Sequence, residues 1–134
     1  MTSCSVEISG EADVAVGISR VRRLLEQAQV RREDVFRITT VVAELGRNIF
    51  KYAGCGNILV ELERHAGSLR VRVRSFDEGP GIDDIEAALR DGFSTGGSLG
   101  MGLPGVRRLM DDFSIVSTPG GGTRVMCHRQ VGTH

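Results

Sequence analysis

The sequence predicts a two-layer α+β sandwich, in which a mixed, mostly antiparallel β-sheet carries its helices on one face. Two observations lead to this fold class. Strand-like and helix-like hydrophobic patterns follow one another in the order β-α-α-β-β-α-loop-α-β-β. Within residues 69–76, Leu69, Val71 and Val73 alternate with three arginines, which predicts a sheet that is packed on one face and solvated on the other.

The first half of the chain contains one strand and two helices. Residues 5–9 alternate as a short strand, and residues 11–29 repeat apolar side chains at the spacing of an amphipathic helix. A second helix opens with Glu33 and Asp34, whose carboxylates suit the positive end of the helix dipole. It runs to about Ala53, because glycine follows.

The second half contains two hairpins around a glycine-rich loop. Residues 57–64 and 69–76 predict paired strands, and residues 82–90 predict a short helix. A non-periodic loop precedes a helix over residues 103–112, and residues 113–118 and 124–130 predict two further strands around a Pro-Gly-Gly-Gly turn. The last four residues are expected to fray.

Composition limits the functional classes. The 134 residues are 40% hydrophobic and 25% charged, with 17 basic and 17 acidic side chains, which fits a single domain over residues 1–134. The charge balance disfavours nucleic-acid and membrane-surface binding. The sequence has neither a membrane-spanning apolar segment nor a signal peptide, so a cytoplasmic protein is expected. Cys4, Cys55 and Cys127 have no metal-ligand or disulfide spacing and are expected to be free thiols.

Three polar or glycine-rich motifs are candidates for chemistry. Glu44, Asn48 and Lys51 have helical spacing, so their side chains are predicted to share a stripe; alone, such a stripe is more often a solvated face. Residues 77–82, DEGPGI, leave a predicted strand, where Asp77 either points into a pocket or caps a local turn. The segment 96–105 ends at a helix start, which favours phosphate, but its G-x-G-x-x-G lacks the preceding strand of a dinucleotide site.

Together the motifs form a more specific pattern. ELGRN (44–48), DEGPGI (77–82), GGSLGMGL (96–103) and GGGT (120–123) resemble, in order and context, the N box and glycine boxes of the GHKL ATPase and kinase superfamily. ELGRNIFKYAG (44–54), DGFSTGG (91–97) and GLPGVRRLMDDF (102–113) resemble the small anti-sigma-type serine/threonine kinases of the RsbT-like stressosome group. The resemblance covers nearly the whole chain and implies the Bergerat ATP-binding fold.

The resemblance also implies a role for individual residues. Asn48 resembles the N-box ligand of Mg²⁺, which usually takes only one or two protein oxygens besides phosphates and water. Glu44 resembles the general base that takes the proton of the attacking hydroxyl. Lys51 resembles a phosphate-binding lysine. Asp77 would accept the exocyclic amine of adenine, which selects ATP over GTP, and Thr123 would support the adenine end.

The glycine boxes are implied to complete the nucleotide site. Gly97, Gly100 and Gly102 resemble a lid whose N–H groups wrap the phosphates and exclude water. The other ATP-binding positions implied by the motifs are Gly79, Gly81, Ile82, Met101 and Leu103.

Two positions depart from the pattern of relatives. Some relatives have an arginine in the lid, whereas residues 91–106 contain no cationic side chain, which implies slow or partner-dependent turnover. Gly46 stands inside the second helix, where glycine costs about 1 kcal/mol relative to alanine; it is a candidate for close helix packing.

The implied function is an ATP- and Mg²⁺-dependent protein serine/threonine kinase in a partner-switching stress or sigma-factor pathway. Its substrate would be a STAS-domain antagonist or scaffold protein, and a downstream phosphatase or sigma-regulatory protein is a further candidate partner. The alternative is an anti-sigma or switch protein that binds nucleotide and sequesters partners with weak or no kinase activity. Intact Glu44 favours the enzyme, and the lid without arginine favours the alternative. A histidine kinase catalytic domain is disfavoured, because no histidine-bearing dimerisation helix precedes the domain.

Overall fold

The computed structural model describes residues 2–82, 85–89 and 102–134, and these form a sheet with helices packed on one face. A π-helix, Ile49–Ala53, directly continues the second α-helix. The remaining elements, in chain order, are β1 (Thr2–Ile8), α1 (Glu11–Gln27), α2 (Arg32–Asn48), β2 (Gly56–His65), β3 (Ser68–Asp77), α3 (Ile85–Ala88), α4 (Gly102–Leu109), β4 (Asp112–Thr118) and β5 (Gly122–Val131). The predicted order of strands and helices is confirmed.

The five described strands pair in the order β1-β2-β3-β5-β4. Every neighbouring pair among them is antiparallel, so this sheet is purely antiparallel where a mixed sheet was predicted. The difference arises because β5 inserts between β3 and β4, a tertiary pairing that local sequence patterns do not determine. The insertion aligns Asp77 at the end of β3 with Thr123 near the start of β5.

Alternation within the strands separates the core from a solvated face. Along β3, Leu69, Val71 and Val73 are buried, whereas the intervening arginines are partly exposed, as the sequence predicts. The arginines pair with carboxylates of β2: Arg72 lies 3.3 Å from Glu63, and Arg74 contacts Glu61. The inner face packs against the helices, and this leaves the opposite face charged.

The helices pack closely against each other and against the sheet. At Gly46 of α2, an added Cβ would lie 3.2 Å from a methyl group of Val14 in α1, so the glycine admits a close helix crossing. Helix α1 ends at Gln27, two residues earlier than predicted, because Gln29 adopts a positive φ. The N–H of Val30 then donates to the carbonyl of Leu25, as in a Schellman cap.

The C-terminal residues are ordered by contacts with the start of α2, so the prediction that they fray is wrong. The N–H of Gly132 donates to Asp34 Oδ2 at 2.8 Å, and Thr133 pairs with Val30. Burial disfavours ionisation of Asp34, but the bonds from Gly132, Arg37 and Arg129 outweigh it and lower the pKa of Asp34. From the sequence, Asp34 is predicted only to interact favourably with the helix dipole; in the structure it also anchors the C-terminal residues.

Candidate functional site

A cavity of about 190 Å³ lies between the sheet, the end of α2 and the start of α4. Its walls are mainly apolar, with Leu45 and Ile49 on one side and Leu103 and Val125 on others. Among the described residues, the polar side chains that line it are those of Asn48, Tyr52, Ser75, Asp77 and Thr123. An apolar pocket with a few separated polar groups is typical of a site for a small organic ligand.

Asp77 stands at one end of the cavity, on the last residue of β3. Its Oδ1 accepts the N–H of Gly79 at 3.0 Å, which fixes the carboxylate and leaves Oδ2 for another donor. The turn requires glycine at position 79, because a Cβ there would lie only 2.6 Å from the Cβ of Ala53. Gly122, the first residue of β5, has φ +87°, a backbone conformation that suits glycine.

A hydroxyl cluster supports the same end of the cavity. The N–H of Ile82 donates to Ser117 Oγ at 2.6 Å, and that oxygen lies 2.8 Å from Thr123 Oγ1. Ser117 thus connects the DEGPGI turn to β5. Ser75, a buried serine among the inward-facing apolar residues of β3, also lines the cavity. The alternation of β3 predicts that Ser75 faces inward with Leu69, Val71 and Val73, but sequence reasoning did not assign Ser75 or Ser117 to the site.

The π-helix changes which side chains of this segment line the cavity. The helical repeat placed Glu44, Asn48 and Lys51 on one stripe, but a π-helix has wider turns than an α-helix. Within the π-helix, Ile49 and Tyr52 therefore line the cavity, and Lys51 does not. Lys51 is exposed, and its Nζ lies 5.2 Å from the centre of the Tyr52 ring. Sequence reasoning missed Tyr52, although its spacing of four residues from Asn48 was a usable signal.

Glu44 lies one turn before Asn48 and is buried behind the cavity lining. Its Oε1 accepts Arg47 Nη1 at 3.0 Å, and its Oε2 accepts the N–H of Gly102 at 3.2 Å. Gly102 is both the first residue of α4 and part of the cavity wall. The carboxylate therefore bridges α2 to the end of the cavity formed by the N-terminus of α4.

Most of the residues singled out in the sequence meet at this cavity. Those that line it are Asn48, Asp77, Gly81, Ile82, Gly102, Leu103 and Thr123. Glu44 and Gly79 adjoin it through hydrogen bonds to Gly102 and Asp77. Lys51 is absent from its walls. Two predicted lid positions, Gly97 and Gly100, and the predicted ATP-binding position Met101 lie outside the described residues.

The cavity offers a metal ion few protein ligands. Within residues 2–82, 85–89 and 102–134, no three His, Cys, Asp or Glu side chains cluster in a way that could hold a metal. The amide oxygen of Asn48 is a hard ligand of the kind that Mg²⁺ takes when phosphates and water supply the rest of its shell. The donor set therefore suits an ion that arrives with a phosphorylated ligand and is poorly suited to a resident transition metal.

Comparison with known proteins decides the family. The profile of the histidine kinase-like ATPase domain matches residues 10–128 of this chain. The chain belongs to that family. The superfamily resemblance carried by the four motifs is thereby confirmed, and described residues of each motif, Asn48, Asp77, Gly102 and Thr123, line the cavity between DEGPGI and α4.

Individual relatives refine the comparison. The chain is 44% identical to the serine/threonine-protein kinase RsbT of Bacillus subtilis (strain 168) over 123 residues, which are 92% of each chain. It is 34% identical over 114 residues to an anti-sigma F factor of Bacillus licheniformis, covering 78% of this chain and 75% of the relative. It is 30% identical over 105 residues to an anti-sigma F factor of Thermoanaerobacter sp. (strain X514), covering 75% and 73%. None of the helices in the described parts of the chain is long and apolar enough to cross a membrane.

Proposed function

We propose that this protein is an ATP-dependent protein serine/threonine kinase of a partner-switching stress or sigma-factor pathway, whose acceptor is a serine or threonine of a STAS-domain protein. The observation that carries the proposal is the identity of 44% to a serine/threonine-protein kinase over 92% of both chains. The cavity supports this proposal, because its mainly apolar walls also contain the carboxylate of Asp77, the amide of Asn48 and the N-terminus of α4 at Gly102.

The adenine end of the proposed site is the Asp77 end. The free oxygen of Asp77 is an acceptor for the exocyclic amine of adenine, whereas guanine presents a carbonyl oxygen at the equivalent place. The Ser117–Thr123 pair holds the neighbouring strand against the DEGPGI turn, and Ile49 and Val125 offer apolar contact to a base. This arrangement favours ATP over GTP.

The phosphate end is the N-terminus of α4. Gly102, Leu103 and Pro104 line the cavity there, and the positive end of the helix dipole favours phosphate. Asn48 would hold Mg²⁺, which supplies neutralisation of the phosphate charge when it is bound. The lid roles of Gly97 and Gly100, ATP binding by Met101 and phosphate binding by Lys51 remain predictions.

The proposed reaction is a direct transfer. The hydroxyl oxygen of the acceptor serine or threonine forms a bond to the γ-phosphorus, and the bond from that phosphorus to the β–γ bridging oxygen breaks, so that ADP leaves. The hydroxyl proton passes to Glu44, whose carboxylate lies beside the start of α4. Glu44 is thereby assigned to chemistry, and Asp77 and Asn48 to binding.

The test is transfer of label from γ-labelled ATP to purified STAS-domain proteins, each paired with a variant whose candidate acceptor serines and threonines are alanine. We expect label on an intact partner and none on its alanine variant. Absence of label on every STAS partner, under conditions where the protein binds ATP, would refute the kinase proposal.

A second candidate is a nucleotide-dependent sequestering protein, which the two anti-sigma F factors among its relatives favour. It predicts a stable complex with a sigma factor or switch partner, formed with ATP present and without label transfer. Size-exclusion chromatography of the same mixtures separates the two functions.

A further inference from the structure

The carboxylate of Glu44 is held at both oxygens by donors from different elements. Arg47 Nη1 lies 3.0 Å from Oε1, and the N–H of Gly102 lies 3.2 Å from Oε2. The Glu44 side chain is only 7% exposed, whereas that of Arg47 is 56% exposed. A buried carboxylate is therefore paired with a cation that reaches it from the solvent side of α2.

This pairing restricts the carboxylate in two ways. A carboxylate that lacks one partner can rotate about its last side-chain bond, and two partners on opposite oxygens prevent that rotation. Each oxygen keeps a second lone pair, so the bonds leave Glu44 able to accept a proton. Arg47 also supplies the countercharge that a buried anion needs, because an isolated charge is costly to bury.

Arg47 is the cation that pairs with Glu44 beside the start of α4. Residues 91–106 contain no lysine or arginine. Lys51 lies over the ring of Tyr52 and is absent from the cavity walls. Among the described residues, Glu44 forms its ion pair with Arg47.

We propose that Arg47 is a positioning residue for phosphotransfer: it orients and charge-balances the Glu44 carboxylate so that this carboxylate meets the hydroxyl of the acceptor. The proposal rests on the proposed function, since it gives Arg47 a role only through the base Glu44. It differs from a direct role on ATP, because Arg47 is not among the cavity-lining residues.

The same helix contains a matched control. Arg37 and Asp34 form an i,i+3 pair on α2, with Nη1 2.9 Å from Oδ1, at the end of the helix remote from the cavity. Arg37→Ala therefore removes an arginine from an ion pair of the same spacing on the same helix without touching the proposed chemistry. A general effect of losing such a pair should appear equally in Arg37→Ala and Arg47→Ala.

The experiment measures single-turnover phosphotransfer to the STAS partner, together with ATP and ADP affinities, for wild type, Arg47→Ala, Arg47→Lys and Arg37→Ala. We expect Arg47→Ala to transfer phosphate about 10- to 100-fold more slowly, with ATP and ADP affinities within about twofold of wild type. Arg47→Lys should recover part of the rate, because it restores the charge without the guanidinium geometry. Arg37→Ala should transfer at the wild-type rate.

A double variant tests whether Arg47 acts through Glu44. In a Glu44→Gln background, removal of Arg47 should slow the residual transfer by less than about twofold, because residues that act as a unit are not additive. Circular dichroism and urea unfolding of each variant verify that it is folded.

Several results would overturn the proposal. One is a wild-type transfer rate for Arg47→Ala, and another is a full additional loss of transfer rate when Arg47 is removed in the Glu44→Gln background. A third is an Arg47→Ala protein with lower ATP affinity and unchanged ADP affinity, which would place Arg47 on the γ-phosphate. Wild-type protein that transfers no phosphate would refute the kinase function and this role together. Active wild type with an unaffected Arg47→Ala refutes only the role of Arg47.

Discussion

Replacement of Asp77 by asparagine tests the adenine end of the site. The carboxylate has two acceptor oxygens, of which Oδ1 already accepts the N–H of Gly79 at 3.0 Å. Asparagine has one oxygen and one amide nitrogen, so it can accept from Gly79 or from the adenine amine, and it turns a donor toward the other. One hydrogen bond to a charged acceptor is lost whichever way the amide turns.

The size of the effect follows from that loss. Hydrogen bonds to charged groups contribute roughly 1.5–3 kcal/mol, so the Kd for ATP should rise about 10- to 150-fold. The advantage of ATP over GTP should shrink at the same time, because the amide can donate to the carbonyl oxygen of guanine. Isothermal titration calorimetry with ATP and GTP measures both quantities.

The neighbouring carboxylate provides the control. Glu78 is exposed and is not among the residues lining the cavity, so Glu78→Gln removes the same charge one residue away and should leave ATP affinity unchanged. Thermal unfolding shows whether both variants are folded. A folded Asp77→Asn protein that binds ATP within about threefold of wild type would refute the assignment of Asp77 to adenine.

Two further predictions concern the fold. Asp34→Asn should lower the free energy of unfolding at neutral pH by roughly 1.5–3 kcal/mol, since it weakens the bonds that anchor the C-terminal residues. Because folding lowers the pKa of Asp34, urea titrations should show this deficit at and above neutral pH and its loss as the pH falls through that lowered pKa. Burial, with a smaller effect from Asp112, raises the pKa of Cys127 to about 12. Of the three free cysteines, exposed Cys55 should therefore react quickly with a thiol reagent in the folded protein, and buried Cys4 and Cys127 only in denaturant; fast labelling of all three would contradict the packing.

The sequence predicts the layers of the fold well because local pattern and tertiary packing agree there. The arginine alternation of β3 places its apolar residues inward, as observed. Asp77 and Asn48 could be assigned to one cavity because each stands in a motif of recognisable order. Their roles toward ATP and metal remain predictions.

The remaining features depend on contacts between distant residues. Asp34 and Gly132 are 98 positions apart, so no local pattern indicates that the C-terminal residues are anchored. The π-helix after Asn48 alters the helical repeat, and the extrapolated stripe therefore fails at Lys51. The sequence pattern places Arg47 only on a polar helix face, because its contact with Glu44 depends on the burial of that carboxylate beside Gly102.

Glu44→Gln gives the most direct test of a kinase in which binding and chemistry belong to different residues. Glutamine keeps an oxygen for the N–H of Gly102 but is a far weaker base than a carboxylate, so the contact to α4 is retained while proton abstraction is impaired. Single-turnover transfer of phosphate to the STAS partner should fall by about 10²–10⁴-fold, with ATP affinity within about threefold of wild type. Transfer at the wild-type rate, or loss of ATP binding together with transfer, would contradict the proposed division between Glu44 and the nucleotide-binding residues.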